Sequence, residues 1–138
     1  MSRAQAAAIL LSVAGVGVSI YLTLLHYAGV TPACPVSGAV NCEAVLSSFY
    51  AVLPGTSIPT SVAGIAWFGI SALLWAWPFG PLHLAWSAVG LLTVLYLVFI
   101  EIVRIGAICL WCTAAHVLVV AIAMIAVAMW TSRERAAA

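Results

Sequence analysis

Charge is nearly missing from this chain: four Lys or Arg and three Asp or Glu among 138 residues, 5% of the total, for a formal net charge of +1. No basic run exists, so nucleic acid is excluded as a partner class. A flavin or nicotinamide fingerprint is also missing, since Gly15-x-Gly17 is too short and lies inside an apolar stretch. Haem of the c type needs histidine directly after the second cysteine of a Cys-x-x-Cys, and Thr113 stands there. Haem of the b type needs paired histidines facing each other at depth, which His26, His83 and His116 do not supply. What fills the chain is apolar: 67% of residues are hydrophobic and the mean hydropathy is +1.28. No soluble domain of this size can bury so much apolar surface, so the solvent is lipid.

Four apolar stretches can be drawn within one membrane domain covering residues 1–138, at about 6–27, 61–77, 82–100 and 108–130. Each is near the ~20 residues that cross hydrocarbon as a helix, and backbone groups in lipid must bond internally, which favours helices. The first is longer than the apolar core of a signal peptide. The fold class expected is therefore all-α, a four-transmembrane-helix bundle. Arg3 precedes the first stretch and Arg133 and Arg135 follow the fourth, so both ends are expected on the cytoplasmic side. Trp75, Trp77, Trp86 and Trp130 are then expected along that edge, with His26 and His83 also interfacial. Arg104 is the exception, and Glu101, three residues earlier, supplies a local partner. Pro78-Phe79-Gly80-Pro81 reads as a tight turn.

This orientation places one long loop, residues 28–60, and the short turn before the fourth stretch on the outer, oxidising side of a bacterial-type membrane. All four cysteines fall there: Cys34 and Cys42 in the loop, Cys109 and Cys112 in a Cys-x-x-Cys opening the last helix. Within the loop, Asn41 can cap a short helix with Glu43 in its first turn. Val45, Leu46, Phe49 and Tyr50 give that piece an amphipathic, membrane-surface pattern.

Cys109 at a helix start is expected to favour the thiolate, and Cys112, one turn deeper, the neutral thiol. That split suits a redox pair, in which Cys109 exchanges with other thiols and Cys112 serves the bundle interior. Zinc is an alternative, although Cys-x7-Cys is a poor half-site, and so are two structural disulfides. A small transporter subunit is a third, but it would need an intramembrane charge, and the one acid near a span is Glu101 at its end. A membrane dithiol needs an electron acceptor, and a lipid-soluble quinone can enter between helices. His116, one turn below Cys112 on the same face, is placed to donate a hydrogen bond to it.

Cys34-x7-Cys42, Ser47-Ser48, Gly64 and Cys109-Leu110-Trp111-Cys112, in that order, resemble the vitamin K epoxide reductase family over nearly the whole chain. The resemblance implies a four-helix bundle around a quinone, ubiquinone or menaquinone, capped by the external loop and its short helix. It also implies a dithiol:quinone oxidoreductase that reoxidises a thioredoxin-like partner and so supports disulfide formation in exported proteins. By position, Cys34 would exchange with that partner, Cys42 would relay to Cys109, and Cys112 would face the quinone. Ser48 matches a small hydroxyl near the catalytic pair. Thr60 stands where vertebrate members have an asparagine that bonds the quinone, and His116 where they have a tyrosine. Many bacterial members carry a fused thioredoxin-like domain; the few residues after the fourth stretch imply a separate partner protein here.

Overall fold

All regular secondary structure among the described residues, 1–137 of a computed structural model, is helical. The first helix, α1 (Arg3–Ala28), starts at a capping box: the Ser2 hydroxyl accepts from the Gln5 amide, and the Gln5 side chain accepts from the Ser2 amide. It stops at Gly29, whose left-handed backbone closes the last turn. In the long loop, Asn41 accepts from the Ala44 N–H at 3.0 Å and starts α2 (Cys42–Leu46), as its cap chemistry predicts. A 3-10 turn, Phe49–Ala51, follows. Pro59 leads into α3 (Thr60–Trp75), and Pro81 opens α4 (Pro81–Phe99) after the expected turn. The α4 helix runs on through a π turn, Ile100–Ile105, closed by Gly106 at φ 72°. The last helix, α5 (Leu110–Ala137), continues past the expected end near residue 130.

Three of these segments, α1, α4 with its π turn, and α5, are long and apolar enough to cross a membrane; α3 is a shorter apolar helix of 16 residues. The chain is an integral membrane protein. Side-chain placement follows from that solvent. Leu10, Val13, Leu24, Leu92, Val117 and Met124 point outward, while Ser12, Ser19, Ser71 and Ser87 are buried. Between helices in lipid, close packing replaces the hydrophobic drive, so small residues occupy the contacts. Ala8, Ser12, Gly15 and Ser19 form such a stripe on α1, against α3. A side chain at Gly15 would overlap the Phe68 ring, and one at Gly64 would come within 2.7 Å of the Ser19 hydroxyl.

The chain threads between two ends of the molecule four times. At one end, the Gln5 amide group donates to the Trp77 carbonyl at 3.1 Å, and Arg133 donates to the Phe79 carbonyl at 2.6 Å. The start of α1, the α3–α4 turn and the last turns of α5 therefore meet. At the other end, Ile108 N–H donates to Ala39 at 2.8 Å and Asn41 N–H donates to Ile108 at 3.0 Å. This short parallel bridge ties the long loop to the segment entering α5.

Three expectations change. Trp75 ends α3 but is turned inward, 1% exposed and stacked on Phe79. His83 is buried as well: its ring accepts from the Gly80 N–H and bonds the Leu74 carbonyl, closing the α3–α4 turn. Arg104 does not pair with Glu101; its guanidinium donates to the Tyr50 hydroxyl at 3.2 Å, and Glu101 turns inward, 6% exposed. The wider π turn separates two side chains that an α-helix would place on one face.

Candidate active site

Cys34 and Cys42 are joined as a disulfide, with Cα atoms 6.1 Å apart, and Cys109 and Cys112 are free thiols. The bridge between Val40 and Ile108 brings the two pairs together. Cys42 and Cys109 are both fully buried and share one packed cluster with Val45 and Ala107, against which Cys34 and Cys112 also pack. Cys34 stays half-buried at the outer side of that cluster. Trp111 holds the arrangement to the rest of the molecule. Its indole N–H donates to the Ala33 carbonyl at 3.3 Å, and its ring lies 4.7 Å from that of Tyr21 on α1.

Cys109 is the residue that caps α5. Its carbonyl accepts from the Thr113 amide and its sulfur accepts from the Cys112 amide at 3.3 Å, the bonding of an N-cap residue. The Cys109 thiol is accordingly held below the ordinary thiol range. The leading cause is the hydrogen bond from the Cys112 side chain, followed by burial, which opposes the shift, and then by the Cys112 backbone N–H.

Beneath the cysteine cluster lies a cavity of about 270 Å³ between the helices and under the loop. Cys112 lines it; Cys34, Cys42 and Cys109 do not. His116, Thr60 and Ser48 all line it too, so the candidate residues come together around one space. They do not offer the same chemistry. The Ser48 hydroxyl already donates to Val45 at 2.7 Å and the Thr60 hydroxyl to Tyr50 at 3.3 Å, so each is left with acceptor capacity. His116 remains a polar group one turn below Cys112.

Two lining residues escaped the sequence reading. Trp67, stacked on Trp86 with ring centroids 6.0 Å apart, has a buried indole N–H with no acceptor among the described residues. Such a donor is costly unless something accepts from it. Gly90 makes room for this ring, since a side chain there would overlap it. Glu101 lines the same cavity as Cys112. A carboxyl within an apolar run was the signal for Glu101; among six tryptophans, Trp67 carried none.

A largely apolar cavity walled by aromatic rings, with an imidazole in its lining, fits a flat ring bearing carbonyl acceptors. No curated protein matches the chain. The family model described as the vitamin K epoxide reductase family matches residues 6–127. Its members are quinone-linked oxidoreductases, and this chain belongs to that family.

Proposed function

We propose that the protein is a dithiol:quinone oxidoreductase that draws electrons from a thioredoxin-like protein and so supports disulfide formation in exported proteins. One observation carries the reading: of the four cysteines Cys112 alone lines the cavity, while Cys109 packs with the Cys34–Cys42 disulfide behind it. The order of the relay follows from that placement. A partner thiolate attacks Cys34, the half-exposed end of the loop disulfide, and releases Cys42 as a thiol against Cys109. The partner's second thiol then frees Cys34, and Cys42 attacks Cys109 to release Cys112 as a thiol. Cys34 closes back on Cys42 to release Cys109, which leaves the inner dithiol with Cys112 at the cavity wall. A quinone bound in the cavity supplies the acceptor for two electrons and two protons. His116 donates to a carbonyl oxygen, and the ring of Trp67 forms part of the apolar wall.

The same reading assigns α1, α3, α4 and α5 to the membrane. The loop of Cys34 and the turn of Cys109 sit at one end of the molecule, so α3 must return the chain across the distance that α4 covers. At 1.5 Å per residue its 16 residues span about 24 Å, short of the ~30 Å hydrocarbon core. Pro59 at one end and the buried turn at Trp75–His83 at the other supply the remainder. Both termini then face the cytoplasm, with the cysteines outside.

The test is quinone reduction by purified protein driven by a small dithiol. Cys112→Ala is expected to lose more than about 100-fold of the rate, and Cys34→Ala to keep it, because a small reductant bypasses the loop disulfide. With a reduced thioredoxin-like protein as donor, both are expected to fail. Equal loss in both variants with the small dithiol would overturn the assignment of outer and inner pairs. Wild-type protein that is folded but inactive with ubiquinone and menaquinone would overturn the function.

A further inference from the structure

Oxidation of the inner dithiol releases two protons beside the cavity, and among the described residues one carboxyl, that of Glu101, lines it. The chain has three acidic residues: Glu43 on the exposed face of α2, Glu134 bonded to Trp130 at the far end, and Glu101. Glu101 is buried where a π turn replaces the α-helix. Such turns redirect side chains and recur at functional sites. Its backbone carbonyl accepts from the N–H groups of Gly106 and Ala107, the latter at 3.1 Å, so the turn that delivers the chain to Cys109 is built on this residue. Its side chain does not serve Arg104, which is taken by Tyr50 on the outside. Instead it faces the cavity that Cys112 also lines.

We propose, resting on the oxidoreductase reading above, that Glu101 is the base that takes the Cys112 thiol proton and hands it into the cavity. The balance is complete with the quinone as oxidant. The Cys109 and Cys112 thiols lose two protons and two electrons and form one S–S bond. The acceptor gains both electrons and takes up two protons, one by way of Glu101 and one from solvent. The Cys112 proton passes to the Glu101 carboxylate and from there to the acceptor oxygen, which restores the carboxylate for the next turnover. The Cys109 proton leaves by way of the cysteine cluster. The other titratable groups around the cavity are His116 on α5, His26 on α1 and Tyr50, whose hydroxyl is bonded by Arg104. Glu101 alone among them belongs to the turn that leads into Cys109.

The experiment compares wild type, Glu101→Gln and Glu101→Asp in two readouts. The first, made without any quinone, is the rate at which a small uncharged alkylating reagent modifies Cys112 in the dithiol-reduced protein at neutral pH, followed by mass spectrometry. The second is steady-state quinone reduction. Loss of that base is expected to slow Cys112 alkylation by about tenfold or more and kcat by ~100-fold. KM for quinone should stay within about threefold, and the aspartate variant should fall between the two. A structural role would lower neither alkylation nor kcat selectively, and equal rates in Glu101→Gln overturn the proposal. Retention of the Cys34–Cys42 disulfide and of helical circular dichroism reports that the variant is folded. If glutamine does not fold, the aspartate variant decides: its shorter side chain withdraws the carboxyl, and a wild-type alkylation rate there overturns the assignment. Slowed alkylation in a wild-type background that reduces no quinone would keep Glu101 as the Cys112 base and remove the oxidoreductase reading instead.

Discussion

Cys109 and Cys112 are three residues apart, yet they face different surroundings, because one is the cap of α5 and the other belongs to its first turn. The Cys109 sulfur receives two donors from Cys112, one from its side chain and one from its backbone. Its thiolate is therefore expected to form at lower pH than that of a free cysteine, which titrates near 8.5. Above that lowered pKa the anion persists; below it the thiol is silent. Cys112→Ala removes the leading donor, so the absorbance titration of reduced protein is expected to move to higher pH. An unchanged curve would mean that the helix end alone sets the ionisation. On the cavity side, His116→Phe removes an N–H while keeping an aromatic wall. A net hydrogen bond is worth about 1 kcal/mol, so it should raise KM for quinone roughly fivefold. Unchanged quinone kinetics would make His116 a packing group.

The elements that place these residues are the loop with its short helix and the broken end of α4. Asn41 starts α2 and the same residue's N–H reaches Ile108, so one asparagine fixes Cys42 both in a helix and beside Cys109. At the end of α4, Gly106 takes a φ of 72° that L side chains adopt at a cost of roughly 1–2 kcal/mol. Gly106→Ala is expected to lower the melting temperature in detergent and to slow the relay, whereas Gly106→Asn should be milder, since asparagine tolerates that conformation. Equal melting temperatures for alanine and glycine would show that the turn rearranges freely. The small residues of α1 act at the same scale: they bring α1 close enough to α3 for Phe68 to lie across Gly15.

For the molecule as a whole, the deciding fact is that the chain passes end to end four times although one pass is short. An epitope at either terminus of the protein in intact cells is expected to be hidden from an impermeant antibody, while one inserted within the exposed 55–57 turn is reached. Termini on opposite sides would mean that α3 lies along the surface rather than through it. Cytoplasmic placement of the loop would reverse the orientation drawn from Arg3, Arg133 and Arg135.

Composition and spacing determined the solvent, the number of apolar stretches, the cap at Asn41 and the two cysteine pairs, because each of these is local or depends on totals. The cysteine order also carried the family. Only the tertiary structure decided that Trp75 and His83 are core residues, that Arg104 bonds Tyr50, and that Glu101 turns into the cavity. The hydroxyls of Thr60 and Ser48 show the same limit: their residues were legible as cavity candidates, but their bonds to Tyr50 and Val45 were not. The physical reason is common to all of them. In a helix that is apolar all round, no periodicity marks the buried face, so which side of α3 or α4 points inward is set by the neighbours it meets. A π turn then shifts the register of everything after it, and no residue in Ile100–Ile105 announces that turn in advance.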